Sequence, residues 1–176
     1  MHPISSVNDS VNIITISTLS YFGILAFSRL RRDIERESYH LAIASGERKE
    51  SPLRVLARMV LSRGRMITLV AKKNKKMVGY VSLIFPRFSK LKGNAYLTIS
   101  VREPYRSKGV GSELMYNAEE LAKKAGAKRI ELEVFAKNER ALRLYERLGY
   151  EKEGIKKRAV TLPSGFDDIV FMAKFI

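Results

Sequence analysis

One stretch of this chain constrains its fold more than any other. Residues 98–112 read TISVREPYRSKGVGS, an apolar strand that Pro104 ends, followed by a basic loop and by an amphipathic helix that begins at Val110. The first N–H groups of a helix have no acceptor within the helix, so they favour an anion. The loop glycines allow close backbone approach, and Arg106 and Lys108 add positive charge. The stretch therefore predicts a site for a ligand that carries phosphate.

The composition excludes several kinds of site. The chain has no cysteine, which excludes disulfides, thiolate metal ligands and thiol nucleophiles. Its only imidazoles are His2 and His40, so neither a histidine-rich metal site nor a Ser-His-Asp triad is expected. At 176 residues, 45% hydrophobic and 29% charged, the sequence is typical of one globular domain with a sizeable core.

The formal net charge of +15 indicates an anionic partner, which would be nucleic acid, an anionic membrane or a polyphosphorylated small molecule. A solvated basic surface is the simpler interpretation. The apolar run at 11–27 is interrupted by polar residues such as Asn12 and Ser17, and no basic segment precedes it. It therefore predicts neither a membrane span nor a secretory signal, and we expect a cytoplasmic protein without membrane contact.

The remaining patterns predict a flexible tail at 1–10 and one α/β domain at 11–176. Alternating apolar residues and flanking turn residues predict seven strands, at 11–17, 66–71, 77–85, 95–101, 129–135, 150–157 and 166–175. Helical spacing and capping residues predict four helices, at about 20–38, 52–63, 110–125 and 138–148. The strand-helix-strand unit in the second half predicts a right-handed crossover within a mixed sheet.

Three blocks follow one another in the second half of the chain: RSKGVG at 106–111, LEVF at 132–135 and NERALRLYERLGY at 138–150. Together they resemble the GNAT (Gcn5-related) superfamily of acyl-CoA-dependent N-acetyltransferases. That family's acyl-CoA signature reads Arg/Gln-x-x-Gly-x-Gly/Ala, and its later block reads Asn-x-x-Ala-x-x-Leu-Tyr-x-x-Leu-Gly-Phe. The later block differs here only at Tyr150, which replaces the phenylalanine. The resemblance implies a single GNAT-like domain with a mixed, mostly antiparallel central sheet, splayed middle strands and flanking helices.

The resemblance also implies roles for particular residues. The strand before the loop is expected to bind the pantetheine arm through its backbone and to donate an N–H to the thioester carbonyl, at Ile99, Ser100 and Val101. The loop and the first helical turn are expected to bind the pyrophosphate of acetyl-CoA, at Arg106, Ser107, Lys108, Gly109, Val110, Gly111 and Ser112. A solvated side chain is the alternative for Lys108.

The later block supplies the remaining candidates. Asn138 is expected to cap its helix, contact the pantetheine arm, or do both. Tyr145 is the implied general acid, which would protonate the departing coenzyme A thiolate. The alternative for Tyr145 is an amphipathic residue that fills the core.

The sequence names no general base. The strand before the loop carries no acid, and the nearest carboxylates are Glu103, Glu133, Asp167 and Asp168. For each of them a salt bridge or a turn is the simpler interpretation. A water chain that ends at a backbone carbonyl is a further alternative.

The resemblance implies an N-acetyltransferase that uses acetyl-CoA and no metal, and that acetylates a primary amine by direct attack. The acceptor would be a protein N-terminus or lysine, an amino acid or a small amine. The alternative is a basic nucleic-acid-binding domain without catalytic activity, which the basic runs at 29–36, 54–65 and 72–76 suggest. Nucleic acid is the less favoured partner, because aromatic residues do not interleave with these runs. Both a monomer and a homodimer are compatible with the sequence.

Overall fold

The structure, a computed structural model, describes residues 5–7, 14–37, 51–62 and 64–176. These residues contain eight strands, β1 Ser5–Val7, β2 Ile14–Thr18, β3 Met66–Lys73, β4 Lys76–Ile84, β5 Asn94–Val101, β6 Arg129–Phe135, β7 Glu151–Leu162 and β8 Gly165–Phe175. They also contain four α-helices, α1 Ile24–Glu37, α2 Pro52–Leu61, α3 Val110–Lys124 and α4 Glu139–Arg147. Short 3-10 turns occupy 21–23, 89–91 and 103–105.

The strands form one sheet in the order β1-β2-β3-β4-β5-β6-β8-β7. Neighbouring strands are antiparallel except β5 and β6, which are parallel. That parallel ladder joins only 94–96 to 129–131, whereas β5 pairs with β4 as far as Val101. Among the residues that the structure describes, the edge of β5 that faces β6 therefore has no ladder partner beyond Tyr96. The predicted mixed sheet with splayed middle strands is confirmed.

The two faces of the sheet bury separate apolar clusters. On one face α3 packs through Leu114 and Met115, which are completely buried. On the other face α1 packs through Phe27 and Leu30. A buried aliphatic side chain contributes roughly 1.5–3 kcal/mol to the free energy of folding, so these apolar stripes fix both helices on the sheet.

Gly79 on β4 allows the close packing of α3. A Cβ atom at this position would lie 3.1 Å from the carbonyl oxygen of Ser100 and 3.3 Å from Leu114 Cδ1. Any larger residue would therefore push α3 away from the part of the sheet where β5 ends.

The ends of the chain differ most from the sequence prediction. Ser5–Val7, within the predicted tail, pairs antiparallel with β2. The other residues of 1–13, and residues 38–50, lie outside the described residues, so the division into a tail at 1–10 and a domain at 11–176 stays a prediction. The strand predicted at 150–157 continues to Leu162, because irregular pairing at 152–154 and 156–160 absorbs the residues that break its alternation.

Candidate functional site

A cleft of about 590 Å³ lies where β5 and β6 separate. Its walls are the end of β5, the loop that follows it, the first turn of α3 and one side of α4. Most of the predicted cofactor-binding residues line it, namely Ile99, Ser100, Val101, Arg106, Ser107, Gly109, Gly111, Ser112, Asn138 and Tyr145. The structure thus brings the two sequence blocks together around one space.

Two predicted residues do not line the cleft. The side chain of Val110 is buried in the core at 1% exposure, so only its backbone can take part in a ligand site. Lys108 turns back on its own loop, where Nζ donates a hydrogen bond of 2.9 Å to the carbonyl oxygen of Pro104. Its ammonium group therefore closes the loop, a role that the sequence did not indicate.

The loop reaches α3 through left-handed backbone. Ser107 has φ of 58° and Gly109, the N-cap of α3, has φ of 79°. The first backbone hydrogen bond of the helix runs from Glu113 N–H to the carbonyl oxygen of Gly109, at 3.1 Å. The N–H groups of residues 110–112 precede it, and such groups are the ones that a helix offers to an anion. We call these residues the cradle.

Gly111 fits the cradle against α4. A Cβ atom at this position would lie 3.2 Å from Cδ2 of Leu144, closer than an ordinary contact. The glycine therefore does two things: it keeps the cleft open beside the cradle N–H groups, and it lets α4 approach them.

Arg106 holds the end of β5. Its Nε donates a hydrogen bond of 2.9 Å to the carbonyl oxygen of Val101. Burial and the positive charge of Arg140 lower the pKa of the Arg106 guanidinium. Arg106 is thus partly committed to the backbone, and it lies close enough to Arg140 for the two cations to repel.

Helix α1 holds the same region from the other side. Glu37, its last residue, accepts hydrogen bonds from Arg102 Nη2 at 2.7 Å and from Glu103 N–H at 2.9 Å. Burial acts to raise the pKa of Glu37, but the bonds from Arg102 and Glu103 outweigh it, and the net pKa is lowered. Ile34 of α1 also lines the cleft. Sequence reasoning missed both residues, because no local motif connects α1 with a loop more than sixty positions away.

Tyr145 is a buried phenol in the cleft wall, at 6% exposure. Burial raises its pKa above the usual value for tyrosine, so the hydroxyl keeps its proton at neutral pH. The helix that carries it begins at Asn138, whose Oδ1 accepts a hydrogen bond of 3.3 Å from Ala141 N–H. The predicted capping role of Asn138 is confirmed.

A buried polar group lies behind Tyr145. The ring of Tyr150, the residue that departs from the family pattern, is 6.0 Å from the ring of Tyr145. Lys174 Nζ donates a 2.7 Å hydrogen bond to Glu119 Oε2, whereas Glu119 Oε1 and the Tyr150 hydroxyl have no partner among the described residues. Burial and the charge of Glu119 raise the pKa of Tyr150, so it too stays protonated.

Two of the candidate bases have structural roles. Asp167 is buried and accepts hydrogen bonds from the N–H groups of Lys137, at 3.3 Å, and Asp168, at 2.9 Å. Asp168 accepts one from Arg158 N–H at 2.7 Å, where the backbone is left-handed. The turn interpretation therefore fits both carboxylates.

Glu133 differs from them. It is exposed on β6, opposite Phe171, on the sheet face that does not carry α3. Tyr96 lies on the same face, because it pairs with Glu131 two positions before Glu133. Burial and the charges of Glu131 and Glu133 raise the pKa of Tyr96. The fourth candidate, Glu103, is exposed in the loop beside Glu37.

Sequence reasoning also missed part of the α4 wall. The additional residues that line the cleft from this helix are Arg140, Ala141, Arg143, Leu144 and Arg147. The spacing of the three arginines, i, i+3 and i+7, places them along one side of a helix, and that signal was available in the sequence.

In the described ranges, no three His, Cys, Asp or Glu side chains stand close enough to hold a metal ion together. None of the helices in those ranges is long and apolar enough to cross a bilayer.

Comparisons with known proteins agree with this geometry. The chain is 32% identical over 94 residues to a Bacillus subtilis protein that carries the provisional name [ribosomal protein bS18]-alanine N-acetyltransferase, and the alignment covers 53% of this chain and 59% of that protein. The matched regions span between 36% and 60% of the length of the curated relatives.

Solved structures share the fold. An acetyltransferase of the GNAT family from Streptococcus pneumoniae superimposes with a TM-score of 0.87 at 23% identity, over 93% of this chain and 99% of that one. The structure of yncA from Salmonella typhimurium with its cofactor acetyl-CoA gives a TM-score of 0.78 at 18% identity, over 92% of this chain and 93% of that one. The sequence model of the Acetyltransferase (GNAT) family matches residues 29–150, a range that includes both the cradle and α4. The chain belongs to the GNAT acetyltransferase family.

Proposed function

We propose that this protein transfers the acetyl group of acetyl-CoA to a primary amine. The observation that carries the proposal is the unpaired edge of β5, which leads through left-handed backbone into the cradle, with Tyr145 in the opposite wall. The pantetheine arm would lie along Ile99–Val101 as an added strand, and the pyrophosphate would accept hydrogen bonds from the cradle N–H groups. Arg106 would add charge beside them.

The chain's own groups suit a direct transfer. A backbone N–H of β5 would donate a hydrogen bond to the thioester oxygen, where negative charge develops as the amine attacks. The C–N bond forms, the C–S bond breaks, and the Tyr145 hydroxyl gives its proton or a hydrogen bond to the leaving thiolate. The Tyr145 phenol is protonated at neutral pH, as an acid must be. Burial raises its pKa further, which favours a hydrogen bond from the phenol to the leaving thiolate until solvent protonates the sulfur.

We propose Glu133 as the group that accepts the proton of the amine, directly or through water. An ammonium acceptor must lose a proton before it can attack, and an exposed carboxylate beside the separated strands can take it. Asp167 and Asp168 are engaged by backbone N–H groups, and Glu103 lies in the loop held by Glu37. Glu133 is the candidate that lies on a strand flanking the opening.

We propose a protein N-terminus as the first acceptor class to test. The Bacillus subtilis relative is named for acetylation of an alanine of ribosomal protein bS18, and it matches about half of this chain. A basic enzyme also suits acceptors presented by anionic partners. A cytoplasmic location, a monomeric or homodimeric state and the absence of a catalytic metal stay predictions.

The deciding experiment measures acetyl-CoA binding by calorimetry and then follows free coenzyme A in an acceptor screen. The screen compares peptides that begin with alanine, the same peptides with blocked N-termini, free lysine, polyamines and basic proteins. We expect release of coenzyme A with the free N-terminal peptides and none with the blocked ones. Acetyl-CoA binding without turnover on any amine would contradict the transferase function.

The same protein preparation tests the nucleic-acid alternative. Affinity for a polynucleotide that falls steeply with salt would favour it. The arginines on the outer side of α1, Arg29, Arg32 and Arg36, are exposed and are the residues to neutralise in that case.

A further inference from the structure

The α4 wall of the cleft is unusually cationic. Arg140, Arg143 and Arg147 all line the cleft, and their spacing along the helix spreads them over about 10 Å. Among the described residues that line this cleft there is no carboxylate. Glu139 pairs with Arg143 at 3.0 Å, but both side chains are more than half exposed, so the pair is screened by solvent.

This charge exceeds what the pyrophosphate needs. The cradle offers backbone N–H groups and a helix N-terminus, which together suffice for a diphosphate. Arg106 also lines this cleft, and in sequence it is much nearer to the cradle than the residues of α4 are. The guanidinium groups of the three α4 arginines are thus additional to the cradle N–H groups and Arg106, which already provide hydrogen-bond donors for a diphosphate.

Two observations place the helix that carries these arginines beside the cradle. Leu144, which lies between Arg143 and Arg147 on α4, is the side chain that a Cβ at Gly111 would touch. Arg140 is close enough to Arg106 for its charge to lower the pKa of that guanidinium. An anion placed between two such cations lowers the electrostatic repulsion between them. The anion would have to lie next to the diphosphate, on the α4 side.

We propose that the arginines of α4 bind a third phosphate of the donor, the one on the 3′ position of the ribose in coenzyme A. The α4 arginine wall, residues Arg140, Arg143 and Arg147, thereby selects a 3′-phosphorylated ADP unit over an ADP unit without that phosphate. This inference rests on the proposed use of acetyl-CoA and adds a specificity determinant to it. Guanidinium groups suit the task, because they bind phosphate through two parallel hydrogen bonds.

The test compares coenzyme A with dephospho-coenzyme A, which lacks only the 3′-phosphate. Calorimetry would give the dissociation constants of both for the unchanged protein, for each single Arg→Gln variant at 140, 143 and 147, and for the triple variant. Glutamine keeps similar helix propensity and removes the charge. Lys124→Gln is the control, since it removes a cation at the far end of α3, outside the cleft.

We expect the unchanged protein to prefer coenzyme A by about tenfold or more at low salt, the size of one charge-assisted contact. The triple variant should lose this preference to within about twofold, because its affinity for coenzyme A should fall further than its affinity for dephospho-coenzyme A, which lacks the contacted phosphate. The control should keep the full preference. Added salt should narrow the preference of the unchanged protein.

Two results overturn the inference in different ways. Equal affinity of the unchanged protein for the two nucleotides, or a preference that survives in the triple variant, would remove the 3′-phosphate contact and leave the transferase function standing. Failure to bind either nucleotide would overturn the proposed function and this inference with it.

Discussion

The cleft proposed for acetyl-CoA and the sheet face that carries Tyr96 and Glu133, which we call the proposed acceptor face, are assembled in different ways. All of the predicted residues that line the cleft come from two short stretches, 98–112 and 138–147. The contacts that we propose for the first stretch are mostly with backbone N–H groups. The proposed acceptor face combines side chains from strands far apart in the chain, such as Tyr96 and Glu133. A backbone-built site needs glycines and caps at fixed spacing, which a sequence displays, whereas a side-chain site needs only residues that the fold brings together.

The largest effect that we expect is on the turnover number, when the proposed acid Tyr145 in the cleft wall is replaced. Tyr145→Phe should lower kcat by about 100-fold, the lower range for loss of a general acid, because the leaving thiolate loses its proton donor. The dissociation constant of acetyl-CoA should stay within about twofold. Steady-state assays of coenzyme A release measure kcat, and calorimetry measures the dissociation constant. Tyr116→Phe, on the exposed side of α3, is the control, and an equal loss there or normal turnover at 145 would remove the acid role.

The next effect concerns donor binding. Gly111→Asp should weaken acetyl-CoA binding by about 2 kcal/mol, or roughly 30-fold, because it brings a negative charge to the cradle and crowds Leu144. Gly93→Asp adds the same side chain where nothing lies within 4 Å, and it should bind normally. Calorimetry at a temperature well below the unfolding midpoint separates binding from stability. Unchanged affinity at 111 would contradict the cradle.

The acceptor side gives a smaller effect that depends on pH. Glu133→Gln should reduce kcat by about tenfold at neutral pH, a modest loss for a general base that water partly replaces. The loss should shrink at alkaline pH, where the amine deprotonates without help. Glu151→Gln is the control, since it removes an exposed carboxylate from β7, a strand that does not flank the opening. A pH-independent loss, or an equal loss in the control, would show that Glu133 acts on structure alone.

The smallest effect that we expect is on the KM for acetyl-CoA, when Glu37, which holds the loop after β5, is replaced. Glu37→Gln should raise the KM for acetyl-CoA about threefold and change kcat less, because the loop after β5 loses a charged partner worth about 1 kcal/mol. The lowered pKa of Glu37 means that its contribution to stability is complete above the unfolded-state value, roughly 4.3, and is lost as pH falls through the folded-state value.

Asp33→Asn is the comparison variant for Glu37. Asp33 lies 3.7 Å from Arg102 and, within the described part of the chain, accepts no hydrogen bond from a backbone N–H group, so its effect should be smaller still. Steady-state kinetics with acetyl-CoA varied, and acid-unfolding curves for both variants, check these expectations. Equal behaviour of the two variants would mean that the bond to Glu103 N–H has no part in donor binding.

The same contrast explains how far the sequence could be read. The order of the elements from β2 onward and the loop that leads into α3 followed from local signals: Pro104, the loop glycines and the cap at Asn138. The splayed strands followed from the family resemblance. The Glu37 contact and the partly buried pair of Lys174 and Glu119 did not, because each joins residues at least 55 positions apart. Lys108 was assigned to solvent or phosphate because a sequence does not show that a long side chain can fold back on its own loop.

The short parallel ladder between β5 and β6 has a consequence for the protein without its donor. Three residue pairs make up the ladder between β5 and β6, where the first five strands of the sheet meet the last three, and the edge of β5 beyond these pairs should exchange its amide protons readily. A ligand that lies along this edge serves as a strand that the chain does not encode. Saturation with such a ligand at about 100 times its dissociation constant adds roughly 2.7 kcal/mol to the folded state. The protection should appear first at Ile99–Val101 and then spread to both halves of the sheet.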